Sequence, residues 1–327
     1  MAGEDAVFKI FPRKIRELLE QAGADPGEIQ ELRLRAGRPL FVISGGKEQA
    51  LTIRGRLVPA EGESLPEGLF LVSREQIGET VDLMSRFSLY AAQEEIRQGF
   101  LTIQGGHRVG VAGRTLAENG SVRVMRSISF LNVRVAHEKK GCADRVMRFL
   151  YTENGRFLNT LIISPPRRGK TTLLRDIIRQ ASDGCRAGPG ETWIPGISVG
   201  VVDERSELGA CYEGCPQNDV GARTDVLDCC PKSQGMMMLV RSMSPDLIAV
   251  DEIGGEEDAR AVEYAGSCGC ALAGSAHGGS LEEIWEKPGL KRLAEEGFFK
   301  RFILLDKEGP VGRVKGIYDE RGKECLI

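Results

Sequence analysis

No run of apolar residues in this chain approaches the ~18–20 that a helix needs to cross a bilayer, and the opening segment MAGEDAVFKI lacks the basic-then-apolar layout of a secretory leader. The expectation is a chain made and kept in the cytoplasm, without direct insertion into a membrane. An excess of one charge is missing too: 44 Lys and Arg against 47 Asp and Glu leave a net charge of −3. That balance excludes a general electrostatic coat for nucleic acid. Aromatic residues, at 6%, are too scarce to suggest a stacking groove for single strands, so nucleic acid is not the expected partner. Paired C-x2-C knuckles are absent. Cys211, Cys215, Cys229 and Cys230 can be grouped as four zinc ligands, but a C-x3-C and an adjacent pair suit zinc poorly. The nine cysteines fit better as free thiols of a reducing compartment, acting as small apolar residues. There are no internal repeats and no long low-complexity tract.

What is present is an ordinary globular composition, 41% apolar and 28% charged, in 327 residues, enough for two domains. Phe8 to Ala22 carries apolar residues at helical spacing. The stretch IQELRLRAGRPLFVIS alternates apolar and charged residues about Gly37-Arg38-Pro39, which predicts a hairpin with basic side chains on one face. Val58 to Gly68 reads as a loop, and Ser73 with Gln76 as a capping box that opens a helix running to about Phe87. A shorter helix is expected over Leu89–Gln98, followed by strands from Phe100 to about Val135 that turn at Gly105-Gly106 and Glu118-Asn119-Gly120. Residues 1–138 therefore form a small α+β domain. Residues 139–327 form a second, α/β domain, entered by a helix over Cys142–Tyr151. Strands at 160–163, 198–203, 247–251 and 271–275 alternate there with helices at 170–181, 232–243 and 256–267, the rhythm of a parallel sheet with crossover helices. The Gly- and Pro-rich stretch 183–195 reads as a mobile loop, and FILLDKEGPVGRVKGIYDE as a closing hairpin.

Function concentrates in LIISPPRRGKTTLLRDIIRQ, residues 161–180. An apolar strand breaks into a tight turn, Ser164-Pro165-Pro166-Arg167-Arg168-Gly169, and Lys170, Thr171 and Thr172 open an amphipathic helix. Such a turn aims backbone N–H groups and the positive end of the helix dipole at one point, a phosphate site. Lys170 would reach the β and γ phosphates of ATP and Thr171 would hold Mg²⁺. The pattern departs from G-x-x-x-x-G-K-[ST] at Ser164, which stands in the place of the first glycine. About eighty residues later, PDLIAVDEIGG places two carboxylates at the end of a buried strand. Asp251 suits the Mg²⁺ shell and Glu252 the attacking water. A third strand, GVVDERSELG, ends in Asp203 and Glu204, able to share the metal and water work or to form a surface turn held by an Asp203–Arg205 or Arg205–Glu207 pair. His277 in GSAHGGS can sense the γ-phosphate or simply fill a hydrogen-bonded turn.

Phosphoryl transfer gains much of its rate from an arginine beside the γ-phosphate. Arg108 and Arg114 in GGHRVGVAGR are the leading candidates, followed by Arg126, with Arg241 as the rival within the second domain.

The order of these motifs resembles the ATPases of type II and type IV secretion and pilus systems. The segments ELRLRAGRPL, AAQEEIRQGFLTIQGGHRVGVAGR and NDVGARTDVLDCCPKSQGMMMLVRSMSPD narrow the resemblance to the stage III sporulation protein AA family, over nearly the whole chain. Arg167-Arg168 depart from the uncharged residues usual there, and residues 183–195 look expanded. The resemblance implies a RecA-like P-loop core behind a smaller N-terminal domain. It also implies a ring of six subunits with nucleotide between the domains, and a mother-cell motor docked on a membrane-embedded partner of the channel to the forespore. Two other readings compete: a nucleic-acid-stimulated ATPase or translocase on the same core, and a non-hydrolysing scaffold.

Overall fold

The structure, a computed structural model, describes residues 6–61, 65–86, 96–97, 99–118, 121–187, 190 and 192–325. They form two compact units, Met1–His137 and Glu138–Ile327.

In the first unit the expected single helix over Phe8–Ala22 is two pieces, α1 (Ala6–Lys9) and α2 (Arg13–Gln21). Pro12 separates them at φ −52° and ψ 149°, because proline has no N–H to continue a helix and serves only at its start. Strands β1 (Ile29–Arg35), β2 (Phe41–Ser44), β3 (Lys47–Leu51) and β4 (Leu57–Pro59) follow, then α3 (Arg74–Met84), β5 (Phe100–Ile103), β6 (His107–Glu118) and β7 (Ser121–Arg134). They make one antiparallel sheet in the order β4-β3-β2-β1-β7-β6-β5. The hairpin read from alternation is β1–β2, with Leu32 opposite Val42 and Arg33 opposite Phe41. Leu32 and Leu34 join Ile15, Leu18 and Leu19 of α2 and Ile77 and Val81 of α3 in one core. β3 and β4 escaped the sequence reading, and β4 enters the stretch read as a loop from Val58; Pro59 ends it at a sheet edge, where a missing donor costs nothing. α3 stops at Met84, and Phe87 lies outside the described residues. So do residues 119–120 of the expected turn and all but Ile96 and Arg97 of the helix expected over Leu89–Gln98.

The second unit contains α4 (Asp144–Met147), β8 (Thr160–Ser164), α5 (Lys170–Asp183), β9 (Gly184–Arg186), β10 (Trp193–Pro195), β11 (Val199–Asp203) and β12 (Thr224–Asp228). It continues with α6 (Lys232–Ser242), β13 (Leu247–Val250), α7 (Glu256–Ser267), β14 (Ala271–His277), α8 (Leu281–Glu286), α9 (Pro288–Glu295), β15 (Arg301–Leu305), β16 (Val314–Asp319) and β17 (Glu324–Cys325). Eight strands form its sheet in the order β12-β11-β13-β14-β8-β15-β16-β17. Pairing is parallel from β12 to β15, and β16 and β17 close the edge antiparallel. The central strands are covered on both faces, which explains their unbroken apolar runs at Leu161–Ile163, Val199–Val202 and Leu247–Val250. β12 was missed because aspartates at its second and last positions interrupt that signal. The helix expected over Cys142–Tyr151 is a single turn, α4. Residues 183–195, read as a mobile loop, carry the antiparallel ribbon β9–β10. Gly184 sits at φ +93°, and a Cβ there would come within 2.7 Å of the Trp193 ring and 2.8 Å of Ile194 O, so the ribbon needs glycine at that position. None of the nine cysteines is joined to another in a disulfide. Among the described residues no helix is long and apolar enough to cross a membrane.

The capping box at α3 is complete: Gln76 N donates to Ser73 Oγ at 3.2 Å and Ser73 N to Gln76 Oε1 at 2.9 Å. Ser73→Ala is expected to lower the stability of the first unit by ~1 kcal/mol in urea unfolding, and Ser73→Asp to restore most of it. An unchanged midpoint for Ser73→Ala would show that the cap contributes nothing.

Candidate functional site

β8 is the strand from which the site grows. Its five residues are fully buried, and its end is fixed by Gly278 N, which donates to Ser164 O at 3.1 Å. Ser164 belongs to the strand and does not take a positive φ; its hydroxyl donates to Pro165 O at 2.8 Å. A glycine is therefore not required there. The left-handed positions come later, at Arg167 (φ +60°) and Gly169 (φ +90°). Gly169 caps α5 at that left-handed φ, which strains any residue with a Cβ, and a Cβ there would also sit a tight 3.3 Å from the backbone of Gly312 and from Val311. Leu173 N bonds Gly169 O at 2.9 Å, and the N–H groups of the first helical turn before it have no intrahelical acceptor.

The connection between β15 and β16 braces this loop from behind. Gly312 N donates to Arg168 O at 3.0 Å, and the Arg168 guanidinium donates to Asp306 O at 2.9 Å and Gly309 O at 2.7 Å. Arg167 is exposed. Neither arginine of the pair enters the charged cluster, which answers how two guanidinium groups fit into a loop built to present its backbone.

Parallel pairing brings the other strand ends to the same edge, with His277 beside Ser164 and Val250 beside Gly274. Thr171 Oγ1 donates to Asp251 Oδ2 at 2.6 Å, and the Ser275 hydroxyl donates to Asp251 Oδ1. Glu252 leaves the strand at φ +58°, a conformation that turns its side chain toward the loop; its N–H donates to Ser275 Oγ at 3.0 Å. Glu252 Oε1 takes Lys170 Nζ at 2.5 Å and lies 2.9 Å from His277 Nε2, and Oε2 takes Arg205 Nη1 at 2.7 Å. Burial works to raise the Glu252 carboxyl, but Lys170, then Arg205 and His277, outweigh it and hold the group below its ordinary value. Thr171 and Asp251 present oxygens that can hold a divalent cation, and the loop with Lys170 can hold phosphate.

The strand end at Asp203 divides its labour differently from either expectation. Asp203 is buried and accepts from the N–H groups of Glu207, Leu208 and Gly209 at 2.8, 2.9 and 2.8 Å, so its oxygens are consumed in shaping a turn. The Arg175 guanidinium braces the same turn through Glu207 O and Leu208 O. Arg205 pairs with Glu252 instead of Asp203 or Glu207. Glu204 pairs with Lys232 at the start of α6 and lines the same cleft as Asp251 and Glu252. Lys232 and Ser275 lie inside quoted segments, yet residue type and spacing assign neither a role, because their partners Glu204 and Asp251 come from other strands.

Arg108 and Arg114 belong to the first unit. The Arg108 guanidinium lies 3.7 Å from the centroid of the Phe100 ring, and Arg114 is exposed opposite Arg126 across β6–β7. In the second unit Arg241 stacks toward Tyr264.

A parallel sheet with a phosphate-type loop leaving a central strand, and acids at the ends of β13 and β11 on the same edge, defines the RecA-like α/β class, here preceded in sequence by a smaller β-rich α+β unit. Solved structures agree on the fold. The Legionella pneumophila ATPase DotB matches with a TM-score of 0.52 at 15% identity, over 90% of this chain and 76% of that one. The pilus retraction motor PilT, solved with bound ADP, matches with 0.52 at 13% identity, over 89% and 76%. In sequence the chain is 40% identical over 317 residues to "Stage III sporulation protein AA" of Bacillus subtilis (strain 168), covering 97% of this chain and 95% of the relative. The profile of the family Sporulation stage III, protein AA, matches residues 1–325, and the chain belongs to that family.

Burial pushes the Asp203 carboxyl up from 3.8 to about 6, against the pull of its three N–H partners. With the folded value above the unfolded one, the stability it contributes is fully present below pH 3.8 and is lost as pH rises through about 6. Asp203→Asn is expected to remove that slope, so that wild type loses about 3 kcal/mol relative to the variant across the window. Urea unfolding at several pH values checks it; a difference that stays constant with pH would refute the assignment.

Proposed function

We propose that this chain binds and hydrolyses ATP with Mg²⁺ at the cleft formed by the 164–172 loop and the ends of β11, β13 and β14. The observation that carries the reading is the meeting of Thr171 with Asp251 and of Lys170 with Glu252 at the mouth of a glycine-capped loop. Two halves of a nucleotide site, about eighty residues apart in sequence, close on each other at hydrogen-bond distance.

In this reading the backbone of Ser164, Pro165, Pro166, Arg167, Arg168 and Gly169, with the first turn through Thr172, cradles the phosphates. Lys170 leaves Glu252 for the β and γ phosphates. Thr171 and Asp251 would hold Mg²⁺, which supplies charge neutralisation at the phosphates when bound. Glu252 orients the water and takes its proton, with Glu204 as the alternative base on the neighbouring strand. His277, touching both Glu252 and Lys170, keeps the two aligned. Family membership and the secretion-ATPase fold support a motor assembled as a ring of identical chains. Its place would be the mother cell, held at the membrane through an embedded protein of the sporulation channel.

Lys170→Ala is expected to abolish binding of a labelled ATP analogue while circular dichroism stays native; unchanged affinity would sink the site assignment. Glu252→Gln is expected to bind ATP normally yet turn it over at least ~10²-fold more slowly. A large loss in Glu204→Gln with none in Glu252→Gln would move the base to Glu204.

A further inference from the structure

Both carboxylate oxygens of Glu252 are taken. Lys170 and His277 converge on Oε1 at 2.5 and 2.9 Å, and Arg205 holds Oε2 at 2.7 Å. Lys170 gives up Oε1 when it turns to the phosphates, but Oε2 stays covered while Arg205 sits on it, so a water can approach Oε2 only after that guanidinium leaves. The Lys170 and Glu252 side chains are only 9% and 18% exposed, whereas Arg205 is 61% exposed. Arg205 thus reaches in from the solvent rim, and turning its guanidinium away uncovers no core. Its backbone is anchored, because the turn just after it, from Ser206 at φ +52°, is pinned by the three N–H bonds to Asp203. The pivot is fixed and the side chain is the part able to turn.

A γ-phosphate drawn in by Lys170 is a stronger partner for a guanidinium than one carboxylate oxygen, since it offers more charge and a bidentate geometry. We infer that Arg205 transfers from Glu252 Oε2 to the γ-phosphate when ATP binds, and that it is the arginine that stabilises the charge developing there. Its departure frees Glu252. The water oxygen then bonds to the γ-phosphorus, the bond from that phosphorus to the β–γ bridging oxygen breaks, ADP leaves with the electron pair, and the water proton passes to Glu252. One contact holds the base idle without ATP and supplies the transition-state cation with it. The inference rests on the reading of the site as an ATPase. It places the arginine in the same chain and the same unit as the phosphate loop, in contrast to Arg108 or Arg114.

The test uses the full-length chain with Arg205→Ala and Arg205→Lys. Expected for Arg205→Ala is Mg·ADP affinity within about 3-fold of wild type and kcat down by about 10³-fold with a much smaller change in KM. Trapping of Mg·ADP with fluoroaluminate, which mimics the transferring phosphoryl group, should be lost. A merely structural residue would move ADP binding and trapping together. Arg205→Lys, keeping the charge without the fork, should fall between. Mixing Arg205→Ala with Lys170→Ala should restore no activity, because both residues serve one site in one chain. Wild-type kcat in Arg205→Ala, or recovery on mixing, would overturn the inference and leave the ATPase reading standing. Failure of the wild-type chain to bind ATP would overturn both.

Discussion

A lysine ammonium with only 9% of its side chain exposed cannot stand unpaired, and the arrangement around Glu252 follows from that requirement. Lys170 opens α5 and Glu252 follows β13, so their contact ties the loop side of the sheet to the acid side. Lys170 is buried and Glu252 half-buried, so removing the carboxylate leaves an ammonium largely cut off from water, a larger penalty than the loss of a surface ion pair. The surrounding contacts serve the same pair. Ser275 donates to Asp251 and accepts from Glu252 N, Glu252 takes a left-handed backbone to aim inward, and His277 Nε2 lies against the oxygen that Lys170 holds.

Around this centre the protein spends its rigidity on backbone. The phosphate-type loop is held from behind by the β15–β16 connection, through Arg168 and the close approach of Gly169 to Gly312. The turn after β11 is held by Asp203 and Arg175, neither of which faces the cluster as a free ligand. Both devices leave the exposed Arg205 as a mobile-length side chain on a fixed base, which suits a group that must exchange one anionic partner for another. Burying Asp203 carries a cost, visible in its raised carboxyl, and three backbone donors offset part of it.

Much of the fold was legible because its elements follow strong local rules. The buried runs of β8, β11 and β13, the complete capping box at Ser73 and the alternation of β1 and β2 each express burial or capping within a few residues. Elements whose signal depends on neighbours were not legible. β12 is interrupted by aspartates and exists because β11 offers it a parallel edge. The ribbon β9–β10 lies in a stretch whose composition resembles a loop, and its second strand passes where only the missing Cβ of Gly184 leaves room. Pro12 was readable and shows that apolar periodicity alone overestimates a helix, because periodicity is blind to a missing N–H.

For the site, the sequence by itself determined which chemistry was available: a lysine and a threonine after a glycine-capped turn, and pairs of acids at the ends of apolar strands. Those assignments follow from residue type and spacing, which depend only on the local chain. Which acid would be spent on structure and which would face the lysine was decided by the tertiary structure alone. Asp203 and Asp251 each end an apolar strand, yet one is enclosed by three backbone N–H groups while the other meets Thr171. Arg205 likewise has Asp203, Glu204 and Glu207 within two residues in sequence, and its ion pair is with none of them. It reaches Glu252 on the adjacent strand, because parallel β11 and β13 bring their ends side by side, and distance in space, not in sequence, sets the energy of an ion pair.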